Sequence, residues 1–337
     1  MDPRPAGGDV TRSQVTETGS AAPSRQRRLV IAGVACVWGA ALAFAFMQRR
    51  GFYPDFLAFW YAAGAWLKGL DPYLVAPSAA PYFVDDRFFY PFPSVLTIVP
   101  FAGLPLPVAG ALFFGLSSGL LAFAITKDGY ARLPLFLSFP YVMAASLGQW
   151  APLIMAAVLL PGLGFLAVCK PNLGLALAFA RPTRAAIYGG AAVLLGSLAF
   201  DPGWPVKWIA NLRTMQGHPP PIMTLAGVVL LAAAIRWRRE DARIVLGMAA
   251  VPQMPMFADQ LPLLLVARTR VESMLLALAS HIGGLLWVKT RAPDDHPSAN
   301  AALFVIAFLY YPALALVLRR PNEGKWLESL MFWRRQR

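Results

Sequence analysis

The sequence predicts an all-α, multi-pass bundle of transmembrane helices, and three observations carry that reading. The first is composition: 58% of the 337 residues are hydrophobic, only 14% are charged, and the mean hydropathy is +0.54. Soluble domains carry about 25% charged residues. The second is the serial arrangement of apolar runs without the alternation that a membrane β-barrel needs, so the backbone has to be satisfied within helices. The third is the placement of positive charge. The net charge of +13 is gathered in short clusters between apolar runs: Arg25, Arg27 and Arg28; Arg181 and Arg184; Arg236, Arg238 and Arg239; Arg319 and Arg320; Arg334, Arg335 and Arg337. Loops on the cytoplasmic side carry such clusters, so the basic balance does not point to nucleic acid. Residues 1–28 read as a disordered cytoplasmic tail, 29–320 as the membrane domain and 321–337 as a basic cytoplasmic tail. Cys36 and Cys169 have no paired spacing, and His218, His281 and His296 have no metal-ligand spacing. No cofactor and no metal are expected.

Taken in order, Met1 to Ser24 is rich in Pro, Gly, Ser, Thr and Ala and lacks hydrophobic period. Leu29 to Met47 is long enough to cross the hydrocarbon core, and its basic flank keeps its start inside. The chain then emerges on the outer side into the longest stretch of mixed chemistry, Gln48 to Ser94. Within it, Asp55 to Lys68 forms a helix, with Asp55 as N-cap and Gly69 as terminator. The aromatic residues Phe56, Phe59, Trp60, Tyr61 and Trp66 place it in the outer membrane interface. Asp71-Pro72-Tyr73 makes a turn. Further apolar runs follow: Val95 to Ile125 (interrupted by prolines), Leu133 to Leu147, Trp150 to Val168, Asn172 to Ala180, Ala185 to Phe200, Ile222 to Ile235, Ile244 to Met256, Leu261 to Ala267, Val271 to Val288 and Ala301 to Leu318. Several are short for a single span and read as half-helices or re-entrant pieces, giving about nine to eleven spans or half-spans.

Acidic residues are scarce, so each is informative, because an ionisable group at membrane depth is costly and usually functional. The first outer loop concentrates Asp55, Asp71, Asp85 and Asp86, with Lys68 and Arg87 nearby. One of these carboxylates could take the proton from an attacking hydroxyl; equally, Asp55 could merely cap a helix and Asp71 merely start a turn. The Asp85-Asp86 pair reads as solvated loop charge rather than a metal site.

The segment PDFLAFWYAAGAWLKGLDPY, followed by FFYPFPSVLTIVPFAGLP, resembles the opening of glycosyltransferase family 87. The matching residues are Asp55-Phe56, Tyr61-Ala62-Ala63, Gly69-Leu70-Asp71-Pro72-Tyr73 and Tyr90-Pro91-Phe92-Pro93. Gly148-Gln149-Trp150 is similar to the family's Gly-Gln element, and Lys170-Pro171-Asn172 to its Lys-Pro element. The resemblance runs from about Asp55 to Asn172. It implies a GT-C-type enzyme, metal-independent and inverting, in a bacterial inner membrane with its active site on the periplasmic side. Such an enzyme moves a hexose, commonly mannose, from a polyprenyl-phosphate sugar to a glycolipid or glycan acceptor. Asp55 is then the catalytic base. Lys170, Asp71, Tyr61, Tyr90, Gln149, Asp259, Gln260 and Arg87 are the substrate-binding candidates. One departure stands out: where the family has a Trp-Asp-His-like stretch, this chain has Phe257-Ala258-Asp259-Gln260, and Gln260 can donate a hydrogen bond but carries no charge. Membrane lipids are the other expected partner. A transporter or lipid flippase, and a non-catalytic scaffold derived from the same fold, are the competing readings.

Overall fold

The structure, a computed structural model, describes residues 23–50, 54–74, 88–214, 219–253, 256–291 and 300–324. Arg87, Asp85 and Asp86, His218 and His296, and most of both expected tails lie outside the described residues. All described elements are helical. Helix α1 (Arg25–Arg50) is followed by α2 (Pro54–Leu67), α3 (Phe92–Ala102), α4 (Leu106–Ile125), α5 (Phe139–Leu147), α6 (Ala151–Leu159) and α7 (Pro171–Ala180). Then come α8 (Ala185–Ser197), α9 (Trp204–Leu212), α10 (Glu240–Ala250), α11 (Arg270–Thr290) and α12 (Ala301–Leu318). Tighter 3₁₀ segments cover Leu133–Leu137, Pro161–Cys169, Gly227–Arg236 and Phe257–Val266.

Among the described residues, four helices (α1, α4, α11 and α12) are long and apolar enough to cross a membrane, and α5 with α6 forms a fifth candidate bent by 113°. Five shorter apolar helices accompany them. The expected nine to eleven spans or half-spans therefore resolve into few full-length helices and many short ones. The outward faces agree with an integral membrane protein. On α11, Val271, Met274, Leu275, Leu278, Ile282 and Leu285 are all exposed, an apolar stripe that water would penalise and lipid would not.

Small residues hold α1 to α4. A methyl group at Gly115 would meet the Cys36 carbonyl and the Ala40 side chain at 2.8 Å, and one at Gly39 would meet the Ser118 hydroxyl at 2.6 Å. Such close backbone approach is how helices associate where no hydrophobic force separates them from lipid.

Arginines bind the helix ends at one end of the bundle. Arg28 donates to the Phe123 carbonyl at 2.6 Å, joining the start of α1 to the end of α4. Arg243 donates to Ala180 at the end of α7, Arg236 to Leu318 at the end of α12, and Arg132 to Ala267 just before α11. The last carbonyls of a helix lack intrahelical partners, and a guanidinium both satisfies them and complements the helix dipole. The arginines of these contacts thus share one end of the molecule.

This common end fixes the direction of the short elements. From it, α10 rises about 16 Å, at 1.5 Å per residue, whereas α5 begins deeper in the bundle, where the Phe139 N–H donates to Ser280 of α11 and the Phe139 ring packs on Phe257. Segment Phe257–Val266 and helix α7 run back to it. None spans about 30 Å of hydrocarbon; each stops partway, and their inner tips carry Gln149, Lys170, Gln253 and Asp259. At the α5–α6 break, Gly148 adopts a left-handed conformation (φ 68°), which glycine takes without steric penalty.

The expected helix at Asp55–Lys68 is observed as α2, starting one residue earlier at Pro54 and closed by Gly69. Its aromatic character has a packing explanation: Phe56 and Phe59 are fully buried, and the Trp60 indole donates to the Leu104 carbonyl.

Candidate functional site

Asp55 lies in the first turn of α2, and its carboxylate accepts a hydrogen bond from the Gln149 side-chain amide. It therefore binds across the bundle. The Gln149 carbonyl oxygen in turn accepts from the Lys170 ammonium at 2.6 Å, and the same ammonium donates to Asp259 Oδ1 at 2.6 Å. Four residues from four distant segments thus form one chain of contacts, Asp55–Gln149–Lys170–Asp259. Lys170 is 2% exposed and Asp259 8%, so each charge depends on the other; a buried ion left alone is strongly destabilising.

Local sequence explains the positions. Gln149 sits in the break that Gly148 opens. Lys170 precedes Pro171, which starts α7; a proline in the first turn costs no hydrogen bond. A cation at a helix N-terminus is electrostatically disfavoured, and Asp259 offsets this. Burial desolvates the Asp55 carboxyl and pushes it up to about 6, against a partial opposing pull from Lys170 and a further push from Asp259. An acid at that value changes charge near neutral pH and can take or give a proton.

The wall beside Asp55 is aromatic. Phe59 packs on Tyr90 with ring centroids 4.2 Å apart and on Trp150 at 4.9 Å, and Trp150 packs on Phe113 at 5.1 Å. Burial and the charges of Asp55 and Asp259 push the Tyr90 phenol well above its usual range. The Trp150 indole N–H is buried with no hydrogen-bond partner among the described residues, a deficit worth about 1–3 kcal/mol.

The other candidates fall elsewhere. The amide of Gln260 donates to Gln253, and its carbonyl accepts from the Tyr310 hydroxyl at 2.8 Å. Gln260 is thus engaged in a buried amide–phenol cluster behind Asp259. Asp71 starts its turn by accepting from the Tyr73 backbone N–H at 2.9 Å, and its other oxygen pairs with Lys207 at 2.7 Å. Lys207 also holds Asp201. Tyr61 packs edge-on against Trp60 and is not part of the Asp55 chain of hydrogen bonds. Among the described residues, no three His, Cys, Asp or Glu side chains gather to hold a metal ion.

Sequence reasoning missed Gln253, Tyr310, Asp201 and Lys207. An isolated glutamine inside the apolar stretch around Gln253 was the available signal, since a buried amide needs partners. Compared with protein-family models, with curated proteins and with solved structures, the chain matches none.

Proposed function

We propose that this chain is a membrane glycosyltransferase that moves a hexose, mannose in the first instance, from a polyprenyl-phosphate donor to a glycolipid or glycan acceptor. The observation that carries the reading is the buried Asp55–Gln149–Lys170–Asp259 chain, together with the raised Asp55 carboxyl. In this reading the acceptor hydroxyl attacks the anomeric carbon and gives its proton to Asp55. The bond from the anomeric carbon to the phosphate oxygen breaks, and the phosphate leaves with the electron pair. Lys170 turns from Asp259 toward the phosphate oxygens and neutralises their charge. Gln149 keeps Asp55 and Lys170 in register, and the unpartnered Trp150 N–H offers a donor to a sugar or phosphate oxygen. The single attack inverts the anomeric centre, and the proposed mechanism is metal-independent. By the positive-inside rule the basic end faces the cytoplasm, so Asp55 is reached from the opposite, periplasmic side of a bacterial inner membrane, with α2 at the outer interface and the bundle of GT-C type.

The test uses the full chain in lipid, supplied with polyprenyl-phosphate mannose, then with other polyprenyl-phosphate sugars, and a panel of glycolipid acceptors. Sugar transfer in the parent and a loss of at least about 100-fold in Asp55→Asn are expected, the scale for removing a general base. Full transfer by Asp55→Asn would remove Asp55 from the chemistry. A second reading, a transporter, is favoured by one observation: elements that stop partway meet at the charged cluster, as at transporter midplane sites. Uptake of an unaltered substrate without transfer would support it. A folded chain that neither transfers nor transports would leave a non-catalytic scaffold.

A further inference from the structure

Two adjoining cavities lie at the basic end, outside the Asp55 site, with volumes of about 430 and 460 Å³. They share Ile31 of α1 and Tyr130, which stands between α4 and α5. Leu133, Pro134 and Leu137 line one; Val30, Gln26 and Arg27 line the other. Arg270, in the first turn of α11, also lines the first. The two form an open groove with an apolar floor and a cationic rim, each part within the roughly 300–1,000 Å³ range of ligand pockets.

The rim differs from six other arginines of this end. Arg28, Arg132, Arg236, Arg239, Arg243 and Arg320 spend their guanidinium groups on carbonyls or carboxylates. Arg27 and Arg270 are exposed, and among the described residues neither guanidinium has a protein partner. The floor is held in place. Leu137 O bonds His281 of α11 at 2.7 Å, and the Phe139 N–H donates to Ser280 at 3.1 Å. The groove is therefore built into the packing of α11 against the segment that precedes α5.

We propose that this groove binds an anionic phospholipid of the leaflet at the basic end. The phosphate sits between Arg27 and Arg270, within reach of the Tyr130 hydroxyl, and an acyl chain lies along Ile31, Leu133, Pro134 and Leu137. Charge complementarity selects an anion, and the apolar floor selects one with a hydrocarbon tail over a soluble phosphate. Basic pockets between membrane helices recognise anionic headgroups in this manner. The site is separate from Asp55 and stands whatever that site does.

The experiment is a titration of the purified full chain in neutral detergent with phosphatidylglycerol, with phosphatidylcholine of the same acyl chains, and with inorganic phosphate. It is followed by the thermal unfolding midpoint and by lipid adducts in native mass spectrometry. Phosphatidylglycerol should bind and stabilise, phosphatidylcholine should do so far more weakly, and inorganic phosphate should have no effect. The double variant Arg27→Gln/Arg270→Gln should weaken phosphatidylglycerol about thirtyfold, since each basic residue near an anionic surface contributes about 1 kcal/mol. Both residues are exposed, so the variant should fold. A charge-matched control, Arg49→Gln/Lys68→Gln, should bind as the parent does. Equal binding of the two lipids would overturn the proposal, as would equal weakening in the control. Stabilisation by inorganic phosphate alone would make this a soluble-anion site and reject the lipid.

Discussion

Asp55 and Asp241 are the same residue type in two pockets of one bundle, and their surroundings drive them in opposite directions. Asp241 is clasped by arginines. Arg239 binds it through two nitrogens at 2.9 and 3.0 Å, Arg320 donates at 2.6 Å, and Arg268 lies 3.4 Å away. Burial alone would raise its carboxyl, but hydrogen bonds from Arg239 and Arg320 and the charges around them outweigh burial and hold it below the usual carboxylate range. Asp55 has one neutral amide as its direct donor, and its nearest cation is one residue further along the chain of contacts; there burial wins. The lesson is that burial does not decide whether a carboxylate is structural or reactive. The number of charged donors that touch it does. The Asp241 cluster ties α10, the end of α12 and, through Glu272, the start of α11 into one clasp. The Asp55 cluster is left poised.

The contrast can be broken most forcefully at Asp241. Asp241→Ala strips the partner from buried Arg239 and Arg320 and should cost about 3–5 kcal/mol of stability, measured by unfolding of the purified chain; a near-parental midpoint would refute the clasp. Lys170→Met should cost a similar amount by stranding Asp259. The double variant Lys170→Met/Asp259→Leu should recover most of it, because well-packed apolar replacements of a buried pair are often neutral, while sugar transfer stays lost. A pH series sharpens the comparison further. Asp55 has a raised folded pKa, so the folded state holds its proton longer, and stability falls as pH rises from about 4 to about 6 and then levels off. Asp241 has a lowered one, so its contribution is full above about 4 and is lost as pH falls further. Thermal midpoints of the parent set against Asp55→Asn should show the first slope vanish in the variant; an unchanged slope would contradict the raised carboxyl. The smallest effect is expected at Tyr310→Phe, which removes a hydroxyl from the buried Gln253–Gln260 cluster and should cost about 1–3 kcal/mol without changing transfer rates.

Much of the fold was legible because apolar runs and breakers report on it directly. The first helix, the α2 boundaries, the last two spans and the helical class all follow from hydropathy, Gly and Pro. The short elements were harder. Trp150 to Val168 reads as one run, yet it divides at Leu160 into α6 and a 3₁₀ segment, because hydropathy cannot tell a lipid-facing span from a helix buried on every side. Arg239 and Arg320 read as loop charges, but the first is nearly inaccessible and the second is mostly covered; their contacts to Pro321 and Val266 join residues far apart in sequence. For the site, Asp55 stood out among the scarce carboxylates of the first outer loop, but Gln149, Lys170 and Asp259 were picked out by motif resemblance, not by any local pattern of their own. Nothing local predicts that Gln149 bridges the other charges, or that Gln260 faces Tyr310.

The glycine seam between α1 and α4 bears on how the protein is made. At ~5–20 residues per second, several seconds pass between synthesis of Gly39 and of Gly115, so α1 is made well before the helix that packs on it. A bulkier side chain at Gly115 would meet Cys36 and Ala40 at 2.8 Å and leave α1 loosely attached. Quality-control proteases would meet such a chain as a full-length product with a loose first helix, so a defect at this seam should show as rapid turnover in the cell before any purified sample could show it.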